Sequence, residues 1–279
     1  MLPTHEPSRR RKEPGDNGNV NLKGKSAQDV TLALGFTEYL RRFIRIKGMD
    51  IEMSCFQMFY LCTDPQKFFR NIKWHKHAKD QWARDDPAFF LMLVYFIFVA
   101  SLSFAIAFNS ESLLNLLRIS FSTILLDFIF VGILISTCCW YLTHHWLRIS
   151  SADASGLFVE WPYSFDVHCY AFFVFFLVVY VAQYFLLPIL LVSDSFLSTI
   201  CANSLYSLAF TLYFYYTFLG YNILPFVERP TIFLYPIAFI LFFILILSLF
   251  QVNLSICIIN WYFATSSSSS LPSPPSSPF

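Results

Sequence analysis

KDQWARDDPAFF, Lys79 to Phe90, is the stretch at which a charged chain becomes an apolar one. From Ala88 to Phe108 no residue is charged, and a helix of that length rises about 31 Å against a hydrocarbon core of roughly 30 Å. A first membrane span is therefore expected to begin here. Asp86-Pro87 is a start signal: an Asp accepts bonds from the free N–H groups of a first turn, and Pro loses nothing where the N–H is unpaired anyway. Asp85 and Asp86 suit the positive end of the helix dipole. Trp82 and Arg84 fall at headgroup depth, where an amphipathic ring and a long cationic stem are both at home.

Working outward, the composition agrees. Of 279 residues, 56% are hydrophobic and 13% charged, the balance of a polytopic membrane protein with little room for a separate soluble catalytic domain. The net charge of +1 hides a division. Residues 1–87 hold 16 Lys/Arg and 11 Asp/Glu, whereas the remainder holds 3 and 7. The first 35 residues are polar and basic with no apolar run to serve as a cleavable signal, so the first span is expected to act as one. Seven cysteines show neither a CxxC pair nor metal-type spacing, and apolar filler is their plainest role. Cys138, Cys139 and Cys169 fall where reversible acylation is the alternative.

Residues 1–35 read as a disordered basic tail. Its RRRK, Arg9 to Lys12, admits a nuclear-address or nucleic-acid reading, but a solvated cluster is the simpler one. Residues 36–87 read as a helical region on the membrane surface. From Thr37, Tyr39, Leu40, Phe43 and Ile46 recur at helical spacing with Arg41, Arg42, Arg45 and Lys47 between them. This basic amphipathic helix fits the headgroup layer, apolar side down, or packs on its neighbours. Asp50 to Leu61 is a second helix, too short and polar to cross. Asp64-Pro65 opens a third, Pro65 to Lys79, whose cations alternate with Phe68, Phe69, Ile72 and Trp74. Such a mixture binds nucleic acid in other settings; beside a membrane span, an interfacial layer is the better reading.

Residues 88–263 read as an all-α bundle of five transmembrane helices: Ala88 to Phe108, Ile119 to Leu142 within an over-long run from Leu113 to Trp146, Cys169 to Val192, Phe196 to Leu219, and Thr231 to Phe250, the last with an option to extend past Asn253. Thr143 to Asp166 and Gly220 to Pro230 read as polar loops. Residues 264–279 form a Ser/Pro-rich tail read as disordered. The loop cations Arg148 and Arg229 share the amino-terminal side if five helices alternate, which by the positive-inside rule puts the amino terminus in the cytosol and the carboxyl terminus in the lumen. Asn253-Leu254-Ser255 is formally a glycosylation sequon, expected to be unused because it abuts the span.

Asp127 is the one acidic residue deep in a span and a functional candidate for that reason. It could relay a proton, or tie helices together by hydrogen bonds. Ser122, Thr123, Asn203, Tyr206 and Ser207 are the partners the sequence offers. Arg118 lies about 13 Å away along the axis and near the opposite helix face. The histidines His75, His77, His144, His145 and His168 gather on one side with Glu160 and Asp166, yet no HxxHH or HExxH box accompanies them. No metal, cofactor or catalytic group is expected, and no GxSxG or phosphate loop is present.

KDQWARDDPAFF, together with YLRRF (Tyr39 to Phe43), MDIE (Met49 to Glu52), QMFYL (Gln57 to Leu61), Pro65-Gln66, Arg70-Asn71, VEW (Val159 to Trp161), FDVH (Phe165 to His168), TFLGY (Thr217 to Tyr221) and LPF (Leu224 to Phe226), resembles the UNCL/Gmh family, the uncoordinated-type multi-pass proteins of the Golgi. The likeness runs in order over roughly residues 36–262, with Tyr170 standing where the family has Asn. It implies a Golgi and early-secretory membrane protein, with the endoplasmic reticulum and inner nuclear membrane as alternative locations. Its implied role is to help membrane cargo such as ligand-gated receptor subunits to the surface, partnering cytosolic ARF guanine-nucleotide exchange factors. It carries over Trp82, Arg84, Asp85, Asp86, Pro87, Trp161, Asp166, His168, Gly220 and Tyr221 as partner-interface residues. Two alternatives from the residues themselves are a small proton-linked transporter or channel using Asp127 and, more distantly, RNA binding by the basic amino-terminal region.

Overall fold

A computed structural model describes residues 50–79, 87–108, 113–147, 149, 159–191 and 196–267, without the side chains of 75–79 and 263–267. The expected tail of residues 1–35, the expected helix bearing Arg41, Arg42, Arg45 and Lys47, the residues Trp82, Arg84, Asp85 and Asp86, and residues 268–279 of the expected Ser/Pro tail lie outside it, whereas residues 264–267, expected in that tail, are helical.

Among the described residues every regular element is a helix. The first two are set by the caps the sequence offers. Asp50 accepts the Met53 N–H at 2.9 Å and starts α1, Ile51–Thr63. Asp64 accepts the Lys67 N–H at 2.9 Å and starts α2, Pro65–Lys79. The first span is α3, Ala88–Ala107. Pro87 already has near-helical dihedrals, and its carbonyl accepts the Leu91 N–H at 3.1 Å, so the proline sits in the first turn, as a residue without an N–H can.

The next helices differ from the sequence expectation at their ends. α4, Leu113–His145, is one continuous 33-residue helix whose middle, Thr123–Phe130, widens into a π-helix. α5, Trp161–Leu190, starts eight residues before Cys169 and has its own π-helical stretch, Leu177–Ala182. Trp161 and Asp166 are therefore helical and do not belong to a loop. The polar residues Ser164, Asp166 and His168 mimic a loop in a hydropathy reading, yet Pro162 opens a helix there because Tyr163, Phe165 and Val167 are buried in the bundle. α6, Phe196–Asn222, likewise takes in Gly220 and Tyr221, which the sequence assigned to a loop. α7, Pro230–Leu249, begins with a 3-10 turn after Arg229 at φ 56°. It stops short of Asn253: the chain turns at Gln251, φ 56°, and a separate helix α8, Leu254–Ser267, follows.

α3, α4, α5 and α7 are long and apolar enough to cross a membrane. α6, at 27 residues, is about 40 Å long and carries more Ser, Thr, Asn and Tyr because it occupies the interior. The result is an all-α, multi-pass membrane bundle. α5 is its centre, packed on α4 and α6, with residues 163–174 buried without a break. α7 lies at the edge, where only Ile244 of its α-helical part is buried; Phe239, Phe242 and Leu245 face outward, as lipid-facing residues do.

The α1–α2 hairpin is docked on one end of this bundle. Tyr216 of α6 donates to the Leu61 carbonyl at 2.7 Å. Phe68, Phe69 and Phe89 surround Tyr170 edge-on at 5.0, 6.0 and 5.1 Å, each such pair contributing about 0.5–1.5 kcal/mol beyond burial. Tyr170 is thus the hub joining α2 and α3 to α5. At the same end the connections after α4 and after α6 pair with each other: the Ile149 N–H donates to the Phe226 carbonyl at 3.2 Å and the Glu228 N–H to the Leu147 carbonyl at 2.6 Å.

Candidate functional site

Two places collect the residues singled out in the sequence. The first is the crossing of α5 and α6 near the docked hairpin. Tyr163, fully buried, donates to the Gly220 carbonyl at 2.6 Å. A Cβ on Gly220 would fall 2.8 Å from both methyls of Val167, so the absence of a side chain is what lets the helices meet. Tyr221, 0% exposed, stacks on Phe233 at 4.3 Å and brings the start of α7 into the same cluster. His168 is 2% exposed; its Nδ1 accepts from the Tyr213 hydroxyl at 2.8 Å, and its Nε2 lies 3.3 Å from the Phe128 carbonyl of α4. One neutral tautomer satisfies both contacts, with the proton on Nε2. Asp166 is 6% exposed in the same turn of α5. Trp161 stacks on Phe165 and donates its indole N–H to Thr137 at 3.2 Å. Phe165 in turn meets Phe90, three residues after Pro87.

The structure therefore gathers Trp161, Asp166, His168, Gly220 and Tyr221 around the first turns of α5, where it meets both α4 and α6, and links them through Phe90 to the start of α3. Asp166, His168 and Tyr221 are interior residues there, so they shape the contacts between the helices and present no outer surface.

The second place is Asp127, at the widened part of α4. Tyr180 donates to its Oδ2 at 3.2 Å, and Tyr262 makes a short hydrogen bond to the same oxygen. Each helix that spans here supplies its π-helical stretch: Asp127 lies in that of α4 and Tyr180 in that of α5. A π-turn shifts the side-chain phase, and such turns gather at functional sites. The second donor, Tyr262, comes from α8, directed back into the bundle by a clamp on α6. Asn203 donates to the Ser248 hydroxyl at 2.9 Å and the Val252 carbonyl at 3.0 Å, while its own carbonyl accepts the Leu254 N–H at 3.1 Å. Asn253, 7% exposed, is spent on the Leu190 carbonyl at 2.9 Å, which fits an unused sequon.

Asp127 is thus a hydrogen-bonded tie between three helices, but its donors are Tyr180 and Tyr262 instead of the residues the sequence offered. Thr123 bonds the Ile119 carbonyl of its own helix, and Asn203 serves the α7–α8 turn. The signal for Tyr180 and Gln183 was present as polar atoms within the aliphatic run LVVYVAQYF. Beside Asp127 opens a cavity of about 710 Å³ that extends from His168 to Gln183 and is walled by Phe172, Phe175, Phe210 and Phe214. Among the described residues no group of three His, Cys, Asp or Glu side chains is placed to hold a metal ion.

With this geometry in place, comparison with known proteins is informative. The UNC-50 family model matches residues 39–263. The "Protein unc-50 homolog" of Dictyostelium discoideum is 49% identical over 231 residues, 81% of this chain and 87% of the relative. That of Danio rerio is 37% identical over 256 residues, 89% and 93% of the two chains, and that of Homo sapiens 36% identical over 222, 79% and 84%. No solved structure matches the chain.

Proposed function

The chain belongs to the UNC-50 family, and from that premise we propose that it is a Golgi and early-secretory trafficking factor. It helps membrane cargo such as ligand-gated receptor subunits toward the surface and works with cytosolic ARF guanine-nucleotide exchange factors. The observation that carries this reading is the gathering of polar surface at one end of the bundle. The α1–α2 hairpin is fastened there by the Tyr216–Leu61 bond. The two connections containing Arg148 and Arg229 are bonded to each other at that end as well. All three segments belong to the cation-bearing side, which the positive-inside rule assigns to the cytosol; the amino terminus is then cytosolic and the turn after α7 lumenal, and because α8 runs back from that turn into the bundle, the lumenal carboxyl end expected from five spans does not follow. α1 buries Met58 and Leu61 while exposing Ile51, Phe56 and Phe59, which suits a helix lying in the headgroup layer of the cytosolic leaflet. A platform held rigidly on a membrane bundle is the form a recruiter of cytosolic machinery requires.

The test is alanine replacement across Trp82 to Asp86 in intact cells, with proximity labelling from the amino terminus. Loss of exchange-factor neighbours and of its Golgi recruitment, with the bundle still inserted by protease protection, is the expected result. Unchanged recruitment would overturn the partner assignment.

A second reading has its own observation, a carboxyl group tied by two phenols inside a cavity. A proton-linked transporter using Asp127 would lose pH-dependent flux in reconstituted vesicles on Asp127→Asn, and an absence of any such flux in the parent protein would dispose of it.

A further inference from the structure

The cavity beside Asp127 ends in two oxygen acceptors that the protein leaves unused. Both phenols donate to Oδ2 of Asp127, and among the described residues none donates to Oδ1. Gln183 is 2% exposed, and its Oε1 has no partner. The two residues belong to one locality, because Tyr180 bonds Asp127 and Gln183 follows Tyr180 by about one turn of α5. A buried acceptor without a donor, such as Gln183 Oε1, is costly away from water; Oδ1 of the half-buried Asp127 adds a second oxygen able to accept, and the pair suits a ligand that donates. No Lys or Arg lines the cavity to balance the carboxylate. Most of the remaining wall is aromatic and aliphatic. It is also reachable from the bilayer, since the lining residues Val131, Ile258 and Trp261 are 38%, 37% and 74% exposed on the outside of the bundle.

We propose that this cavity binds a single-chain lipid amine drawn from the membrane, with its ammonium on Asp127 and Gln183 and its hydrocarbon chain along Phe172 and Phe175. The cavity runs about 22 Å along α5 from His168 to Gln183, and its mostly aromatic and aliphatic walls suit one extended hydrocarbon chain. A transmembrane segment of a cargo protein would arrive with its backbone donors already spent within its own helix. Donor count selects the head. A sterol hydroxyl brings one O–H for two waiting acceptors, while a primary ammonium brings three N–H groups and the opposite charge. In a low-dielectric site that pairing is worth more than it is in water.

The test uses the full-length protein in phosphatidylcholine nanodiscs and three photoactivatable, clickable probes: sphingosine, the same chain N-acetylated, and cholesterol. The expected result is labelling by sphingosine on peptides of α4, α5 and α8, removed by excess unlabelled sphingosine. Labelling by the acetylated chain and by cholesterol should be weaker by at least about fivefold, as a charge-assisted contact predicts. Asp127→Asn and Gln183→Leu should each reduce sphingosine labelling, and Ile135→Trp, which fills the cavity about two turns of α4 beyond Asp127, should abolish it. No cavity labelling, equal labelling by cholesterol or the acetylated chain, or wild-type labelling in both Asp127→Asn and Gln183→Leu would overturn the proposal. None of these readouts depends on exchange-factor recruitment, so the trafficking reading stands or falls separately.

Discussion

Gly132 of α4 and His168 of α5 meet so closely that a Cβ on the glycine would lie 2.5 Å from the imidazole Nε2 and 2.6 Å from Cδ2. The contact fixes the distance between the two helices and holds the imidazole against the Phe128 carbonyl. His168 stacks on Phe128 on one side and touches Phe165, Phe172 and Tyr213 on others, so it has little freedom to retreat.

Gly132→Ala should therefore destabilise the bundle by about 1–3 kcal/mol through overpacking, read as a lower melting temperature in detergent. Combining it with His168→Ala should recover part of that loss, because the double variant removes the collision. Purely additive losses in the double-mutant cycle would show that the two residues are not coupled.

Tyr163→Phe removes the donor to the Gly220 carbonyl while keeping the ring. A net hydrogen bond contributes about 0.5–1.5 kcal/mol, and an orphaned buried acceptor costs about 1–3 kcal/mol, so a loss within that span is expected. Gly220→Ala should cost more than the same change at an exposed helical glycine, since Val167 is fixed between the helices. Val167→Ala in the same chain should relieve it, as a melting series would show.

Cys62 reports on the docked hairpin. Partial burial pushes its thiol pKa up from the ordinary value, so at a given pH less thiolate is present and alkylation is slow, thiolate being the nucleophile. Tyr216→Phe loses the bond to the Leu61 carbonyl. It should loosen α1, bring the thiol back toward its ordinary pKa, and move the pH profile of Cys62 alkylation to lower pH. An unchanged profile would mean that the aromatic contacts of Phe68 and Phe69 hold the hairpin without the hydroxyl.

Tyr262→Phe should free α8 from Asp127 while leaving the Asn203 clamp at its start intact. Backbone amides of α8 beyond Cys257 should then exchange hydrogen faster, with Leu254 to Ile256 little changed. Asp127→Ala should reproduce that pattern and extend it to the π-helical stretch of α5 around Tyr180. Uniform protection along α8 in both variants would remove the tie as a structural element.

Much of the fold is legible in the residues because the rules that write it are local. Lipid demands helices whose backbone groups are satisfied within the segment, so apolar runs of about 20 residues declare themselves, and Asp50, Asp64-Pro65 and Pro87 declare where helices begin. The same rules failed at Trp161 to His168 and at Gly220-Tyr221. Polar side chains and glycine resemble a loop when read alone, yet those in the interior are satisfied or fitted by a neighbouring helix. The turn at Gln251, which sends α8 back into the bundle, depends on Asn203, about 50 residues earlier.

By itself, then, the sequence determined that the chain is a helical membrane protein, where its main spans lie and how its charge is divided between the two ends. Only the tertiary structure decided which groups share the interior. Asp127 takes its donors from 53 and 135 residues away, and Tyr216 finds the Leu61 carbonyl across 155. Hydropathy and capping act within a turn or a span, whereas a buried hydrogen bond is set by the crossing of helices, a property of the packed bundle that no single stretch of chain contains.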